Sequence, residues 1–371
     1  MKSKPTITRM LITFFPVFVL ATGIILLASC GGAGRKKAAN EVDSTKGLKD
    51  YYKEYFPIGV AIGPSTLEGD QAEMIKKQFN SLTAENVMKP ALIHPEENRY
   101  FWDNADKIVD FAQANGMKVR GHTLCWHNQT GAWMFQDAEG KPASKDVVLA
   151  RLKDHITQVV SRYKGKVYAW DVLNEAVLDR DTSKTKIYRE TQWYRICGEE
   201  YIAKAFQWAH EADPEAVLFY NDYNTENPGK RERIYNFLKK LLDAGVPVNG
   251  VGLQGHWAIN DPGEKELRES ISKFSSLGLK IQITELDVSI YTSRADTSSY
   301  EFTPEREQKQ MDFYKTVFKV FRENKKVITG VTFWNVSDRR SWRDRMGKKC
   351  YPLLFDQNLK PKKAYWEVVK F

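Results

Sequence analysis

Cysteine is scarce in this chain. Its 371 residues include four, Cys30, Cys125, Cys197 and Cys350, and no two stand close enough in sequence for a zinc-binding spacing. That excludes a zinc module and a disulfide-dense scaffold. One bridge stays open to an exported chain, with nothing to choose its partners, and Cys125 sits in an apolar run where a buried thiol is the expectation. A Gly-rich phosphate turn is missing too. The segment GVAIGPSTLEG (residues 59–69) lacks the GxGxxG spacing that an open, doubly wound nucleotide-binding sheet would place after its first strand. From residue 56 onward no Pro/Gly/Ser-rich linker interrupts the pattern, so the body reads as one domain.

Long apolar runs are equally rare. The single one, LITFFPVFVLATGIILLA (residues 11–28), follows the cations Lys2, Lys4 and Arg9, as in a secretory signal peptide. A transmembrane anchor is the rival. The end of the run separates the two: Leu27, Ala28 and Ser29 lead into Cys30, then Gly31 and Gly32. This resembles a bacterial lipobox, whose cysteine is lipidated and becomes the first mature residue. Residues 1–29 are then a leader, Cys30 the lipid site, and residues 30–50 a small, charged, flexible tether. Such a chain is expected as a membrane-anchored lipoprotein, in the periplasm or at the cell surface.

Charge of one sign is not concentrated anywhere. Losing the leader removes three cations and no anion, which lowers the formal charge from +9 to +6. The remaining Lys and Arg residues are scattered among acids along helical stretches, so no nucleic-acid partner is expected.

What the body does contain is alternation. Eight β-rich runs lie at 56–63, 80–86, 118–127, 167–176, 216–223, 248–256, 280–288 and 328–336. Helical patterns fill the gaps at 103–115, 144–163, 191–212, 229–243, 263–276 and 304–324, with a short one closing the chain. Gly116, Gly245 and Gly278 are placed to end helices before the next strand. Eight such units predict an α/β fold, a single-domain TIM (β/α)8 barrel spanning residues 51–371.

In nearly every run the apolar half comes first and a polar cluster follows. Glu85 and Asn86 end the second, His122 to His127 the third, Asn174 and Glu175 the fourth, and Asn221 to Tyr223 the fifth. Gln254 and His256 end the sixth, Glu285 and Asp287 the seventh, and Trp334 the eighth. A barrel gathers these ends on one open face.

Two glutamates on that face meet the requirement of glycosidic-bond cleavage. One carboxyl protonates the leaving oxygen while another meets the developing positive charge, and a retaining enzyme holds them about 5–5.5 Å apart. Glu175 and Glu285 end non-adjacent strands, so they face each other across part of the mouth. His256 is placed to hydrogen-bond Glu285, with Asp287 orienting the imidazole. Sugar rings stack on aromatic planes, for which Trp126, Trp334, Trp342 and Tyr223 are positioned, whereas Trp102, Trp193 and Trp208 fall on helices and read as packing residues.

Seven segments in register resemble the glycoside hydrolase family 10 xylanases over roughly residues 50–371. They are TAENVMKP (83–90), GHTLCWHNQ (121–129), WDVLNEA (170–176), YNDYN (220–224), GLQGHW (252–257), ITELDV (283–288) and TFWNVSDRRSW (332–342). The resemblance implies a retaining endo-1,4-β-xylanase, acting as a monomer on xylan and xylo-oligosaccharides without metal or organic cofactor. It implies Glu175 as acid/base, Glu285 as nucleophile, and Asn174 as partner of the 2-hydroxyl at the cleavage point. Glu85, Asn86, Lys89, His122, Trp126 and Gln129 match glycone-side contacts. Gln254 and His256 flank the nucleophile, Trp334 and Trp342 match tryptophans that close over sugars, and Tyr223 matches an aglycone-side aromatic. Two departures stand out: Cys125 replaces a more usual aliphatic residue, and Asn335 stands where Gly is common, with an effect expected on the loop carrying Trp342. Two alternatives stay open. One is a related barrel glycanase acting on cellulose or mannan; the other is a surface glycan-binding lipoprotein that does no chemistry, which loss of either glutamate would have favoured.

Overall fold

The computed structural model describes residue 43 and residues 45–180, 186–292, 296, 301–344 and 348–371. The chain divides into a unit at residues 1–41 and a second at residues 42–371, and the barrel belongs to the second. The expected leader, the lipidation site Cys30 and the tether as far as residue 42 lie outside the described residues. The body begins earlier than residue 51. Leu48 opens a short helix, α1 (Leu48–Tyr51); it is fully buried, and its N–H donates to Gln78 Oε1 at 2.9 Å. Its charged neighbours Lys46, Lys49 and Asp50 hide this single anchoring residue from a reading by composition.

The strands in chain order are β1 (Ile58–Ile62), β2 (Ser81–Ala84), β3 (Lys118–Cys125), β4 (Val167–Asn174) and β5 (Val217–Asp222), followed by β6 (Gly250–Leu253), β7 (His256–Ala258), β8 (Lys280–Ser289) and β9 (Ile328–Phe333). Eight of them form a closed parallel ring, because β9 pairs with β1 and β6 pairs with β8. This is the expected barrel. The sixth run differs in detail: Gly255 takes a φ of 79° and turns the chain, so His256 starts β7 and lies opposite Asp287 on β8. A residue with a side chain would be strained at that φ.

Helices cover the outside: α2 (Gly69–Gln78), α3 (Pro90–Ile93), α4 (Asp103–Ala114), α5 (Lys145–Arg162), α6 (Gln192–Cys197), α7 (Glu200–Ala212), α8 (Pro228–Asp243), α9 (Glu264–Ser275), α10 (Pro304–Glu323) and α11 (Lys363–Val369). α5 shows why they form. Ser144 caps it, its side chain accepting from the Val147 N–H, and Val148, Leu152, Ile156 and Val159 form a buried stripe at helical spacing. Truncating one of these, as in Leu152→Ala, costs roughly 2–5 kcal/mol. The helix expected over 191–212 is two helices, since Gly198 takes a left-handed φ of 63°. α2 is not among the helices expected from the sequence, because its polar run GDQAEMIKKQ buries only Ala72, Ile75 and Gln78.

Polar groups fill part of the barrel interior. Arg120 on β3 forms a two-pronged ion pair with Asp171 on β4, and its Nε donates to Gln282 Oε1 on β8 at 2.8 Å. Both ions are fully buried, so removing one partner would leave an unpaired charge at a cost of roughly 3–5 kcal/mol. At the chain ends, the Tyr52 hydroxyl donates to the Val368 carbonyl at 2.6 Å, joining the segment before β1 to α11. Cys125, Cys197 and Cys350 are buried free thiols. The bridge left open by the sequence therefore does not form among the described residues.

Candidate active site

The C-terminal strand ends surround a cleft of about 640 Å³. Lys89, His122, Trp126, Asn174, Glu175 and Tyr223 line it, together with Gln254, His256, Glu285, Trp334 and Trp342. Eleven of the residues named from the sequence thus meet in one cavity.

Glu285 sits on β8 and is 5% exposed. Asn221 Nδ2 donates to its Oε1 at 2.8 Å, and His256 Nε2 lies 3.1 Å from its Oε2. The other imidazole nitrogen, Nδ1, is 2.9 Å from Asp287 Oδ2. Asp287 is itself fixed by Trp342 Nε1 at 2.8 Å and by Arg343 Nη1 at 2.6 Å. Burial disfavours a charged His256, but the two carboxylates beside it outweigh that and raise its pKa to about 9. Burial likewise opposes an ionised Glu285. The His256 hydrogen bond, with the positive fields of His122, His256 and Lys89, prevails and holds the carboxyl at about 2. Near neutral pH the pair is an imidazolium beside a carboxylate.

Lys89 belongs to the same electrostatic unit. It is 7% exposed, and desolvation lowers its pKa against the pull of Glu285, Glu85 and Glu175. His122 is held by Asp171 Oδ2, 2.8 Å from its Nδ1, which connects the interior ion pair to the cleft wall.

Glu175 follows the last residue of β4 and has a left-handed φ of 57°, a conformation costing a non-glycine residue of order 1–3 kcal/mol. Its N–H donates to the Asn221 carbonyl at 2.9 Å. Two neutral donors reach its carboxyl group: Trp126 Nε1 at 3.0 Å from Oε2, and Gln254 Nε2 at 2.9 Å from Oε1. The Asn174 amide, 2% exposed, contacts the Asn221 amide at 3.0 Å. Asn221 therefore joins the two glutamates, through its backbone to one and its side chain to the other. Gly252 on β6 makes this possible, because a Cβ there would lie 2.2 Å from Asn221 Oδ1.

Three further residues expected at the sugar site are not among those lining the cleft itself. Glu85 lines a small neighbouring depression. Asn86 accepts from Lys89 Nζ at 3.1 Å, so it touches the cleft through that lysine. Gln129 is exposed and adopts a φ of 45°; its carbonyl accepts from the Ala91 N–H at 2.6 Å, while Asn128 lines the cleft in its place. Nor does Asn335 act on the Trp342 loop by its side chain, which turns to Glu85.

Several groups at the site carry no clear signal in the sequence. Asn221 is among the polar strand ends but receives no role. Arg343 and Arg189 stand in no chemical pattern, yet Arg343 holds Asp287, and Arg189 Nη2 donates to the Tyr223 hydroxyl at 2.9 Å. Lys230, fully buried, sits 3.6 Å from the centroid of the Tyr223 ring and 2.8 Å from Asp222 Oδ1.

A parallel eight-stranded barrel with two glutamates of unlike surroundings in one aromatic-lined cleft has the architecture of a glycoside hydrolase. The description of glycosyl hydrolase family 10 matches residues 47–371. A β-1,4-xylanase of Dictyoglomus thermophilum is 49% identical over 361 residues, covering 96% of this chain and 99% of that protein. An endo-1,4-β-xylanase of Geobacillus stearothermophilus is 46% identical, over 88% of this chain and 98% of its own. Among solved structures, xylanase XynB of Paenibacillus barcinonensis, in complex with a conduramine derivative, superimposes with a TM-score of 0.85 at 46% identity, covering 88% of this chain and 99% of that one. The chain belongs to glycosyl hydrolase family 10.

Proposed function

We propose that the protein is a retaining endo-1,4-β-xylanase that hydrolyses internal β-1,4 bonds of xylan by double displacement, with Glu285 as nucleophile and Glu175 as acid/base. The observation that carries this reading is the pair itself: two strand-end glutamates line one cleft, one held ionised by an imidazolium and the other bonded to neutral donors. In the first step a Glu285 oxygen bonds to the anomeric carbon as the glycosidic bond breaks, and Glu175 gives its proton to the departing oxygen. In the second, Glu175 takes a proton from water, which attacks the same carbon and frees Glu285.

Both side-chain donors to Glu175 are uncharged. A proton on one carboxyl oxygen adds an O–H donor that can point toward the leaving oxygen, while the other oxygen still accepts from Trp126 or Gln254. On Glu285 both oxygens keep donors, as a resident carboxylate requires. Asn174 is assigned to the 2-hydroxyl of the sugar at the cleavage point, Trp126, Trp334 and Trp342 to stacking, and Tyr223 to the aglycone side.

The choice of xylan draws support from the relatives. The curated ones at 49% and 46% identity bear xylanase names, and a xylanase from Thermoanaerobacterium saccharolyticum, 43% identical with a TM-score of 0.80, was solved as a mutant complex with xylotriose. Chromatography of the products released by residues 31–371 from xylan, glucuronoxylan, cellulose and mannan tests the assignment. Xylo-oligosaccharides are expected from the first two. Release from cellulose or mannan instead would make it another glycanase, and xylan bound without new reducing ends would make it a binding protein.

The N-terminal segment supports an exported lipoprotein anchored through Cys30, from its basic start, apolar run and small residues before the cysteine. Cys30→Ser is expected to move the protein out of the membrane fraction. Unchanged partitioning would show that something else holds it there.

A further inference from the structure

Asn335 follows Trp334 at the cleft edge and has a φ of 112°, a region that side-chain-bearing residues rarely occupy. It is 7% exposed, and its Oδ1 is buried with no hydrogen-bond partner. Backbone strain and an unsatisfied buried acceptor both disfavour folding. Both fall on one residue beside the cleft, where a glycine would remove each of them.

The side chain makes one hydrogen bond, from Nδ2 to Glu85 Oε2 at 3.2 Å. Glu85 is 5% exposed, and its other oxygen lies 3.6 Å from Arg340 Nη2. The carboxylate is thus pinned from two sides, by a buried neutral amide and by a largely exposed cation. The Arg340 side chain is 64% exposed, so solvent screens its pull on the carboxylate, and the buried Asn335 amide is the contact that fixes which way Glu85 points. The segment Trp334–Asn335 spans the boundary between the cleft and the depression that contains Glu85.

We propose that Asn335 is a positioning residue for the glycone end of the cleft: it holds the Glu85 carboxylate in the orientation that binds a sugar hydroxyl, and so sets how tightly a second xylose is gripped. This rests on the xylanase reading above and on the family resemblance that makes Glu85 a glycone-side contact; here Glu85 lines the depression adjoining the cleft. The strained backbone is then a cost retained for binding.

Asn335→Gly, Glu85→Gln and the double variant, assayed on an aryl xylobioside and followed by thermal unfolding, test the proposal. Glycine accepts the backbone angle, so Asn335→Gly should melt no lower than the parent. Its KM should rise about tenfold, as when a hydrogen bond to a charged group is lost, with kcat changing far less. The double variant should be no worse than Glu85→Gln alone, because Asn335 acts through that carboxylate. A KM for Asn335→Gly within twofold of the parent, while Glu85→Gln raises it, would overturn the role of Asn335 and leave Glu85 as a contact. A KM unmoved by Glu85→Gln would overturn the glycone assignment itself, and with it the proposal. Additive effects in the double variant would mean that Asn335 does not work through Glu85.

Discussion

The two glutamates of the cleft are alike in type and position, each near the C-terminal end of a barrel strand, and opposite in surroundings. Glu285 lies beside cations: His256 within hydrogen-bond reach and Lys89 close enough to act through space. Glu175 receives its side-chain bonds from an indole and an amide, both uncharged. The difference teaches that the fold supplies the positions and the neighbours supply the chemistry. Asp287 keeps His256 charged and in place, Arg343 and Trp342 hold the Asp287 carboxylate by hydrogen bonds, and the imidazolium in turn keeps Glu285 ionised.

The largest expected effect breaks the Glu285 side. Glu285→Ala should lower hydrolysis of xylan and of an activated aryl xylobioside alike, on the order of 10⁴-fold; near-normal rates on both would remove it from the mechanism. Glu175→Ala should separate the substrates. Xylan hydrolysis falls by about 10²- to 10⁴-fold, whereas an aryl xylobioside with a good leaving group still releases its phenol in a first burst. If the activated substrate slows as much as xylan, the two glutamates do not differ as described. Asn221→Ala removes the donor to Glu285 Oε1, and should cost roughly 10- to 100-fold in kcat with the barrel intact by circular dichroism. A rate within twofold of the parent would show that the bridge is dispensable.

The smallest effect sharpens the comparison through pH. The folded pKa of His256, about 9, lies above its ordinary 6.5. Its contribution to stability is therefore fully present below pH 6.5 and lost as pH rises through 9. For Glu285, depressed to about 2 from 4.5, the contribution is present above pH 4.5 and lost as pH falls through 2. The difference in unfolding free energy between the parent and His256→Gln should therefore shrink between about pH 6.5 and 9. A constant difference across that interval would mean that His256 is not held protonated.

Much of this was legible in the sequence for a physical reason. Barrel strands are buried on both faces, so apart from interior groups such as Arg120, Asp171 and Gln282 their runs are largely apolar, and a polar cluster at the end of one is conspicuous. Glu175, Glu285, His256 and Gln254 all stand out that way. What escaped did so because its signal is not local. Arg189 and Arg343 look like surface arginines until the fold carries them to Tyr223 and Asp287. Leu48 is one apolar residue among charges. Gln129 has a motif in its favour, but a left-handed φ turns that stretch and presents Asn128 to the cleft. The helix break at Gly198 and the turn at Gly255 each depend on one backbone angle, which composition does not specify.

The three buried thiols give the barrel a built-in clock. Cys125, Cys197 and Cys350 lie in different parts of the chain, and burial pushes the pKa of each upward, that of Cys197 to about 11. A thiol reagent needs both access and thiolate, so the folded barrel should react slowly at each. Labelling then waits on opening. If the three react at one common rate, the ring opens as a unit; if Cys350 runs ahead, the segment after β9 loosens first, and the order of labelling becomes a record of how a closed barrel comes apart.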